Sequence, residues 1–279
     1  MKHFEANWKT QDDVNIFAEG WEPTVIQPKG VVCLVHGLGE HTSRYAHVAE
    51  AFGKDGLILF GADLRGHGRS GGPRGHISSI EDFMQGIDLL LEQARTRYPN
   101  LPIILYGHSL GGILVLHYSL LRKPAIKGVI ATSSGLHTAL ENQKVKIALA
   151  KVLGSIAPKT LIASGLDAKS ISRDEKVVQT YLNDPLVHDK ISFGFGRVML
   201  DVTGWTLAHA GEFPLPLLLM HGKSDAIAFP SSSTEFAAPL KERCTLVLWD
   251  GAYHELHNEP EKNEVFKTMT LWMDARLRE

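Results

Sequence analysis

The sequence predicts an α/β protein: a mostly parallel sheet between helix layers, with a helical cap inserted late in the sheet. Three observations predict it. Short apolar runs alternate with helix-length segments from residue 30 onward, the runs are continuously apolar rather than alternating, and the rhythm breaks once, between residues 136 and 210. Continuous apolarity marks strands covered on both faces, as in a parallel sheet between helices, whereas alternation marks a sheet with one wet face.

Phe4–Lys9 and Val14–Ala18, joined by Gln-Asp-Asp, read as an antiparallel hairpin on the sheet edge. Val31–Val35 is a buried strand, followed by a Gly-rich turn and a helix from Tyr45 to Lys54, and Leu57–Phe60 is the next strand. Ile80–Tyr98 is a long helix with Phe83, Ile87, Leu90, Leu91 and Ala94 along one side. Ile103–Tyr106 runs into the apolar helix Leu110–Leu121, and Val129–Thr132, Leu217–Met220 and Thr245–Trp249 complete the sheet. Residues 136–210 hold no strand-like run of comparable strength. They offer an amphipathic segment, Val145–Ile156, then a polar stretch and a second helical pattern. The simplest organisation is a core of residues 1–135 and 211–279, with residues 136–210 packed as a cap over one end of the sheet. Ligands bind at the carboxyl ends of strands in such sheets, so a cap there shapes a substrate pocket.

Composition narrows the function. The 279 residues carry 29 Lys+Arg against 31 Asp+Glu, a net charge of −2, and 44% are hydrophobic, which excludes intrinsic disorder. A near-neutral balance with dispersed basic residues gives no electrostatic footprint for nucleic acid. Two cysteines, Cys33 and Cys244, cannot build a disulfide framework or a four-cysteine zinc site. Glu5, Asp12, Asp13 and Glu19 occupy the first thirty residues, without the apolar stretch of a secretory signal, so a cytoplasmic location is expected. The most apolar stretch, Ile103–Leu121, is broken by Gly107, His108, Ser109, Gly111, Gly112 and His117 and is no membrane span.

The chemistry-bearing motif is Gly107-His108-Ser109-Leu110-Gly111. A G-x-S-x-G elbow turns so sharply from strand to helix that the serine hydroxyl stands exposed. The pattern occurs twice, because Gly68-Arg69-Ser70-Gly71-Gly72 matches as well. Only Ser109 has the strand before it and the helix after it, so Ser109 is the expected nucleophile and Ser70 a turn residue. A serine needs a base, and the base an orienting carboxylate, in the chain order serine, acid, histidine. Asp225 fits on the turn leaving Leu217–Met220, with Asp250 its rival; His254 fits after Thr245–Trp249, with His257 its rival. The backbone N–H groups of Leu110 and of Leu38, in the loop after Val31–Val35, are the expected oxyanion donors. His254-Glu255-Leu256-His257 is one residue short of H-E-x-x-H, with Asn258 where the second ligand belongs, so no metal is expected.

Four segments, His36-Gly37-Leu38-Gly39-Glu40-His41-Thr42-Ser43-Arg44-Tyr45, Gly107-His108-Ser109-Leu110-Gly111-Gly112, Asn183-Asp184-Pro185-Leu186 and Gly251-Ala252-Tyr253-His254-Glu255-Leu256-His257, resemble the monoacylglycerol lipase and lysophospholipase family of α/β-hydrolases. The likeness runs in order from about residue 30 to the end of the chain. It implies the α/β-hydrolase fold, cofactor-free serine chemistry on Ser109, Asp225 and His254, and cleavage of monoacylglycerols to fatty acid and glycerol. It also implies a polar glycerol pocket at Glu40, Arg44, Tyr181 and His257. Glu40 and Arg44 could equally form a salt bridge with each other. A lysophospholipid, general carboxylic ester or thioester substrate uses the same triad; an inactive binding protein would need a broken one. The resemblance further implies transient contact of the cap with a membrane, through Val145, Leu149, Val152, Leu153 and Ile156 with Lys144, Lys146 and Lys151 nearby. An amphipathic stripe faces a core by default, so closing the pocket is the alternative role of that face. The oligomeric state has no signature in the sequence.

Overall fold

A computed structural model of the chain describes residues 1–25, 27–138 and 152–278. Its main sheet has eight strands: β1 (Lys2–Lys9), β2 (Asn15–Glu22), β3 (Gly30–Val35), β4 (Leu57–Ala62), β5 (Ile103–His108), β6 (Gly128–Thr132), β9 (Leu217–Gly222) and β10 (Cys244–Trp249), with β7 and β8 lying outside it. The spatial order is β1-β2-β4-β3-β5-β6-β9-β10. β1 and β2 pair antiparallel, as do β2 and β4, and every other neighbouring pair is parallel. This is the expected α/β-hydrolase architecture.

The continuous apolarity of the inner strands has the expected cause. Along β3, Val31, Cys33 and Val35 face one apolar layer and Val32 and Leu34 the other, all fully buried. The first layer is completed by α2 (Glu81–Arg97) and α3 (Leu110–Arg122), the second by α1 (Ala46–Lys54) and the C-terminal helix α7 (Lys262–Leu277). The apolar side of α2 is the one read from the sequence: Phe83, Ile87, Leu90, Leu91 and Ala94 are buried. Helix α7, for which no sequence expectation was formed, buries Val265, Phe266, Met269 and Met273.

Strand β2 runs four residues past the expected end, through Glu19, Gly20, Trp21 and Glu22. Glu19 is buried there because its carboxylate accepts hydrogen bonds from Thr42 Oγ1 (2.8 Å) and His3 Nε2 (2.8 Å). Gly20 leaves room there for the Phe4 ring, whose Cζ would stand 2.5 Å from a Cβ.

Between β6 and β9 the described residues hold α4 (Glu175–Leu182), α5 (Phe193–Ala208) and a two-stranded antiparallel ladder of β7 (Leu161–Ala163) with β8 (Lys190–Ser192). The two three-residue strands, too short to stand out in the sequence, pair with each other within the expected helical cap. Phe195, Met199 and Val202 of α5 join the main apolar layer beside α3, so the sequence boundary at residue 210 cuts through one packed core. Of the expected membrane-contact face, Lys144, Val145, Lys146, Leu149 and Lys151 lie outside the described residues; Val152 and Ile156 are exposed and Leu153 is half-buried. Among the described residues no helix is long and apolar enough to cross a membrane. Helix α6 (Ser231–Ala237) lies between β9 and β10.

Candidate active site

Ser109 sits between β5 and α3 with φ 54° and ψ −112°, a conformation that costs a non-glycine residue about 1–3 kcal/mol. The flanking glycines make it attainable. A Cβ on Gly107 would lie 2.2 Å from the Gly111 carbonyl oxygen, and one on Gly111 only 1.9 Å from that of Val35. No side chain larger than hydrogen fits at either position, so the motif spacing is a packing requirement of the turn. The backbone N–H of Ser109 donates to the Thr132 carbonyl of β6 (2.9 Å), which ties the elbow to the next strand.

Ser109 Oγ lies 2.9 Å from His254 Nε2, and His254 Nδ1 lies 2.7 Å from Asp225 Oδ2. A carboxylate only accepts, so Nδ1 carries the proton and Nε2 is free to accept from the serine hydroxyl. The Asp225 carboxylate also accepts from the backbone N–H groups of Ile227 (2.9 Å) and Ala228 (3.0 Å) at Oδ1, and from His221 Nε2 (3.1 Å) at Oδ2. Asp250 lies on the surface, paired with Lys223 (2.6 Å), away from this chain of bonds. Behind Ser109, the loop 36–40 follows β3: a Cβ on Gly37 would stand 3.3 Å from Ser109 Cβ. Leu110 opens α3, so its N–H has no partner within the helix.

A family model described as serine aminopeptidase, S33, matches residues 26–261. The chain belongs to this hydrolase family. An uncharacterized abhydrolase domain-containing protein of Dictyostelium discoideum is 38% identical over 277 residues, 98% of this chain, which spans 29% of that larger relative. The monoacylglycerol lipase of Mycolicibacterium smegmatis is 35% identical over 266 residues, 95% of this chain and 94% of the relative. Among solved structures, the monoacylglycerol lipase of Paleococcus ferrophilus superposes with a TM-score of 0.83 at 34% identity, covering 99% of this chain and 100% of that one.

In this hydrolase the residues around the serine form a narrow cleft lined by Gly37, Leu38, Glu40, His108, Ser109, Leu166, Ile171, Tyr181, His254 and Glu255. Of the four expected glycerol-pocket residues, Glu40 and Tyr181 reach the cleft. Glu40 Oε1 accepts from the Gly37 N–H (2.6 Å) and the Tyr45 hydroxyl (2.8 Å), and its other oxygen meets Arg44. Arg44 stands one layer back, its guanidinium 4.8 Å above the Tyr181 ring. It forms a fork on Glu255, with bonds of 2.8 and 2.7 Å, as well as its bond to Glu40. The salt bridge that the sequence left open thus exists, and most of the lone pairs of Glu40 are already engaged. His257 does not line the cleft: it is fully buried, stacked 4.6 Å from the Tyr45 ring and 4.8 Å from that of His108.

Electrostatics follow from these contacts. Burial pushes Asp225 upward, but the neighbouring His254 and His221 outweigh it and hold the carboxyl below its ordinary range. Burial pushes His254 down, and the Asp225 charge and hydrogen bond more than offset that, leaving the imidazole above its ordinary value. Burial lowers His108 to about 4 and takes His257 well below the ordinary histidine value, so both are neutral near pH 7. For Glu40, burial acts upward and the Arg44 charge, acting downward, wins.

Several supporting residues escaped the sequence reading. His221 bonds Asp225 and takes its orientation from Ser233 Oγ (2.8 Å) and the Ala228 carbonyl (2.9 Å). Ser133, at φ 48°, donates through Oγ to the His254 carbonyl (2.6 Å). His36 Nε2 accepts from the Leu64 N–H (2.8 Å), so its Nδ1 carries the proton given to the Gly37 carbonyl (2.8 Å). Ser70, the second motif match, is buried: its hydroxyl donates to the Asp63 carbonyl (2.6 Å) and accepts from the Phe17 N–H (2.9 Å). The loop 36–40 also meets the segment after α4, where the His188 N–H donates to the Gly39 carbonyl (2.9 Å) and His41 pairs with Asp184 (2.9 Å). His221 and Ser133 carry no local motif, so nothing in the sequence marks them.

Proposed function

We propose that this chain hydrolyses carboxylic esters, foremost monoacylglycerols to fatty acid and glycerol, through an acyl-enzyme on Ser109. His254 Nε2 takes the Ser109 proton as Oγ attacks the carbonyl carbon. The tetrahedral oxyanion meets the N–H groups of Leu38 and Leu110, donors that together supply a few kcal/mol when aimed at developing charge. As the intermediate collapses, the bond to the glycerol oxygen breaks and His254 returns the proton to that oxygen. Water then repeats the cycle: His254 takes its proton, the acyl bond to Ser109 breaks, and the serine recovers its hydrogen. Asp225 stays ionised and stabilises the imidazolium in both halves.

The observation that carries this reading is the hydrogen-bonded line Asp225–His254–Ser109 opening into a cleft lined by both polar and apolar side chains. Glu40, Tyr181 and Glu255 give the alcohol side, with Arg44 behind; Leu38, Leu166 and Ile171 give the acyl side. Two monoacylglycerol lipases among the relatives support glycerol as the alcohol. Residues 136–210 serve as the cap, and the exposed Val152, Ile156, Leu161 and Ile162 support its transient contact with a lipid surface. A fluorophosphonate probe should label wild-type protein and leave Ser109→Ala unlabelled. Across mono-, di- and trioleoylglycerol, the first should turn over fastest; equal turnover of trioleoylglycerol would make the protein a broad lipase.

A further inference from the structure

The alcohol side of the cleft carries two carboxylates and shares a single guanidinium between them. Glu40 and Glu255 both line it, both are almost completely buried, and both bond to Arg44. Glu255 is held from three directions: by the Arg44 fork, by Asn258 Nδ2 (2.7 Å), and by its own N–H donating to the Ile171 carbonyl (2.7 Å). Asp225 adds a further carboxylate behind the His254 imidazole. Among the described residues, the lining contains no Lys or Arg. Three N–H groups of Arg44 are already committed to carboxylate oxygens, and its guanidinium stands behind the lining rather than in it.

We propose that Glu255 makes the alcohol side of this cleft net anionic and thereby restricts the reaction to esters of uncharged alcohols, excluding those that bear a phosphate. The inference rests on the ester-hydrolase reading above and names the head-group selectivity of that same site. Phosphate recognition calls for guanidinium or ammonium donors free to bond it. Here the one guanidinium is shared between two carboxylates, so one carboxylate charge remains uncompensated. At an effective dielectric of about 20, a unit charge about 6 Å from another shifts binding by roughly 100-fold, and a phosphate monoester near pH 7 carries more than one charge. A neutral glycerol loses nothing to this field and finds hydrogen-bond acceptors in it.

The test compares three esters sharing the same oleoyl chain and glycerol, in micelles of a neutral detergent at pH 7.5. They are 1-oleoylglycerol, its 3-phosphate, and the dimethyl ester of that phosphate, which is larger but uncharged. The expected kcat/KM for the phosphate is at least 100-fold below that of 1-oleoylglycerol, while the dimethyl ester stays within about tenfold. In folded Glu255→Gln, which keeps the shape of the side chain and removes its charge, the ratio between 1-oleoylglycerol and the phosphate should shrink by tenfold or more. Turnover of the phosphate within tenfold of 1-oleoylglycerol overturns the proposal. So does equal rejection of the dimethyl ester, which would make size the discriminator, and so does an undiminished ratio in Glu255→Gln. The ester comparison stands on wild-type protein if the variant does not fold. Absence of 1-oleoylglycerol turnover by protein that cleaves p-nitrophenyl octanoate would instead remove the monoacylglycerol reading, and this proposal with it.

Discussion

Replacing Asp225 by asparagine tests the catalytic assignment, and the structure sets the direction of the effect. Asp225 Oδ1 accepts two backbone N–H groups, from Ile227 and Ala228, while Oδ2 faces His254 Nδ1 and His221 Nε2. An amide can turn only one way in this site. With its oxygen at the Oδ1 position it keeps both backbone bonds; reversed, its NH₂ group would face two N–H donors. The NH₂ therefore lands at the Oδ2 position and points its hydrogens at His254. Nδ1 must then accept rather than donate, the ring proton moves to Nε2, and the base that should take the Ser109 proton presents a donor instead. The imidazolium also loses its counter-charge. Replacing the acid in this way costs on the order of 10⁴ in kcat in serine triads of this kind. The pH profile supplies a second readout. The base must be neutral, so wild-type kcat/KM should rise with pH through an apparent value above the ordinary 6.5 of histidine, because Asp225 holds His254 up. In the variant, burial is opposed only by the weaker effects of the Glu255 and Glu40 charges, and that midpoint should fall. The assay is p-nitrophenyl decanoate hydrolysis from pH 5 to 9 on protein whose thermal unfolding matches wild type. A loss under tenfold, an unmoved midpoint, or a more damaging Asp250→Asn would refute the assignment.

Ser109→Ala should abolish turnover, whereas Ser70→Ala should keep kcat at low temperature but lower stability by about 1–3 kcal/mol, because the Phe17 N–H and Asp63 carbonyl lose a buried partner; urea titration and a rate assay separate the two effects. Glu40→Ala should reduce kcat/KM for monooleoylglycerol and for p-nitrophenyl decanoate alike, by roughly five- to 150-fold, since it strips the Gly37 N–H beside the expected oxyanion donor of its acceptor; a loss confined to the glycerol ester would assign Glu40 to the head group alone. Gly111→Ala should fail to fold or melt far below wild type, as a Cβ there would stand 1.9 Å from the Val35 carbonyl oxygen; a thermal melt within a few degrees of wild type would contradict that packing. Glu40 and Asp225 both titrate below their reference values of 4.5 and 3.8, so each contributes stability that is complete above those values and is lost as the pH falls through the lower folded ones. The urea midpoint should therefore hold from pH 6 to about 5 and drop as the pH falls from about 5 toward 2, and Glu40→Gln should flatten part of that drop.

The sequence by itself determined whatever rests on contacts close along the chain or on burial as such. Val31–Val35 and Ile103–Tyr106 are strands because an uninterrupted apolar run must be covered on both faces, and both lie at the centre of the sheet. The elbow was legible because Gly107, Ser109 and Gly111 meet one steric demand within five residues. Asp225 and His254 were legible through their positions after late strands, and both stand within bonding reach of the line that ends at Ser109. Tertiary structure decided what depends on partners far apart in the chain. Glu19 is a charged residue continuing a buried strand, possible only because Thr42 and His3 reach its carboxylate. Glu255 looked like part of a failed metal motif, and becomes a cleft residue because Arg44, 211 positions away, grips both of its oxygens. Ser70 matched a catalytic pattern, and folding turned its hydroxyl inward to close a loop against β2. A side chain's local pattern shows which chemistry it can perform, but its charge state and free lone pairs are set by the neighbours that folding delivers. In this hydrolase those neighbours separate the glutamate that braces the loop 36–40 from the serine that lines the cleft.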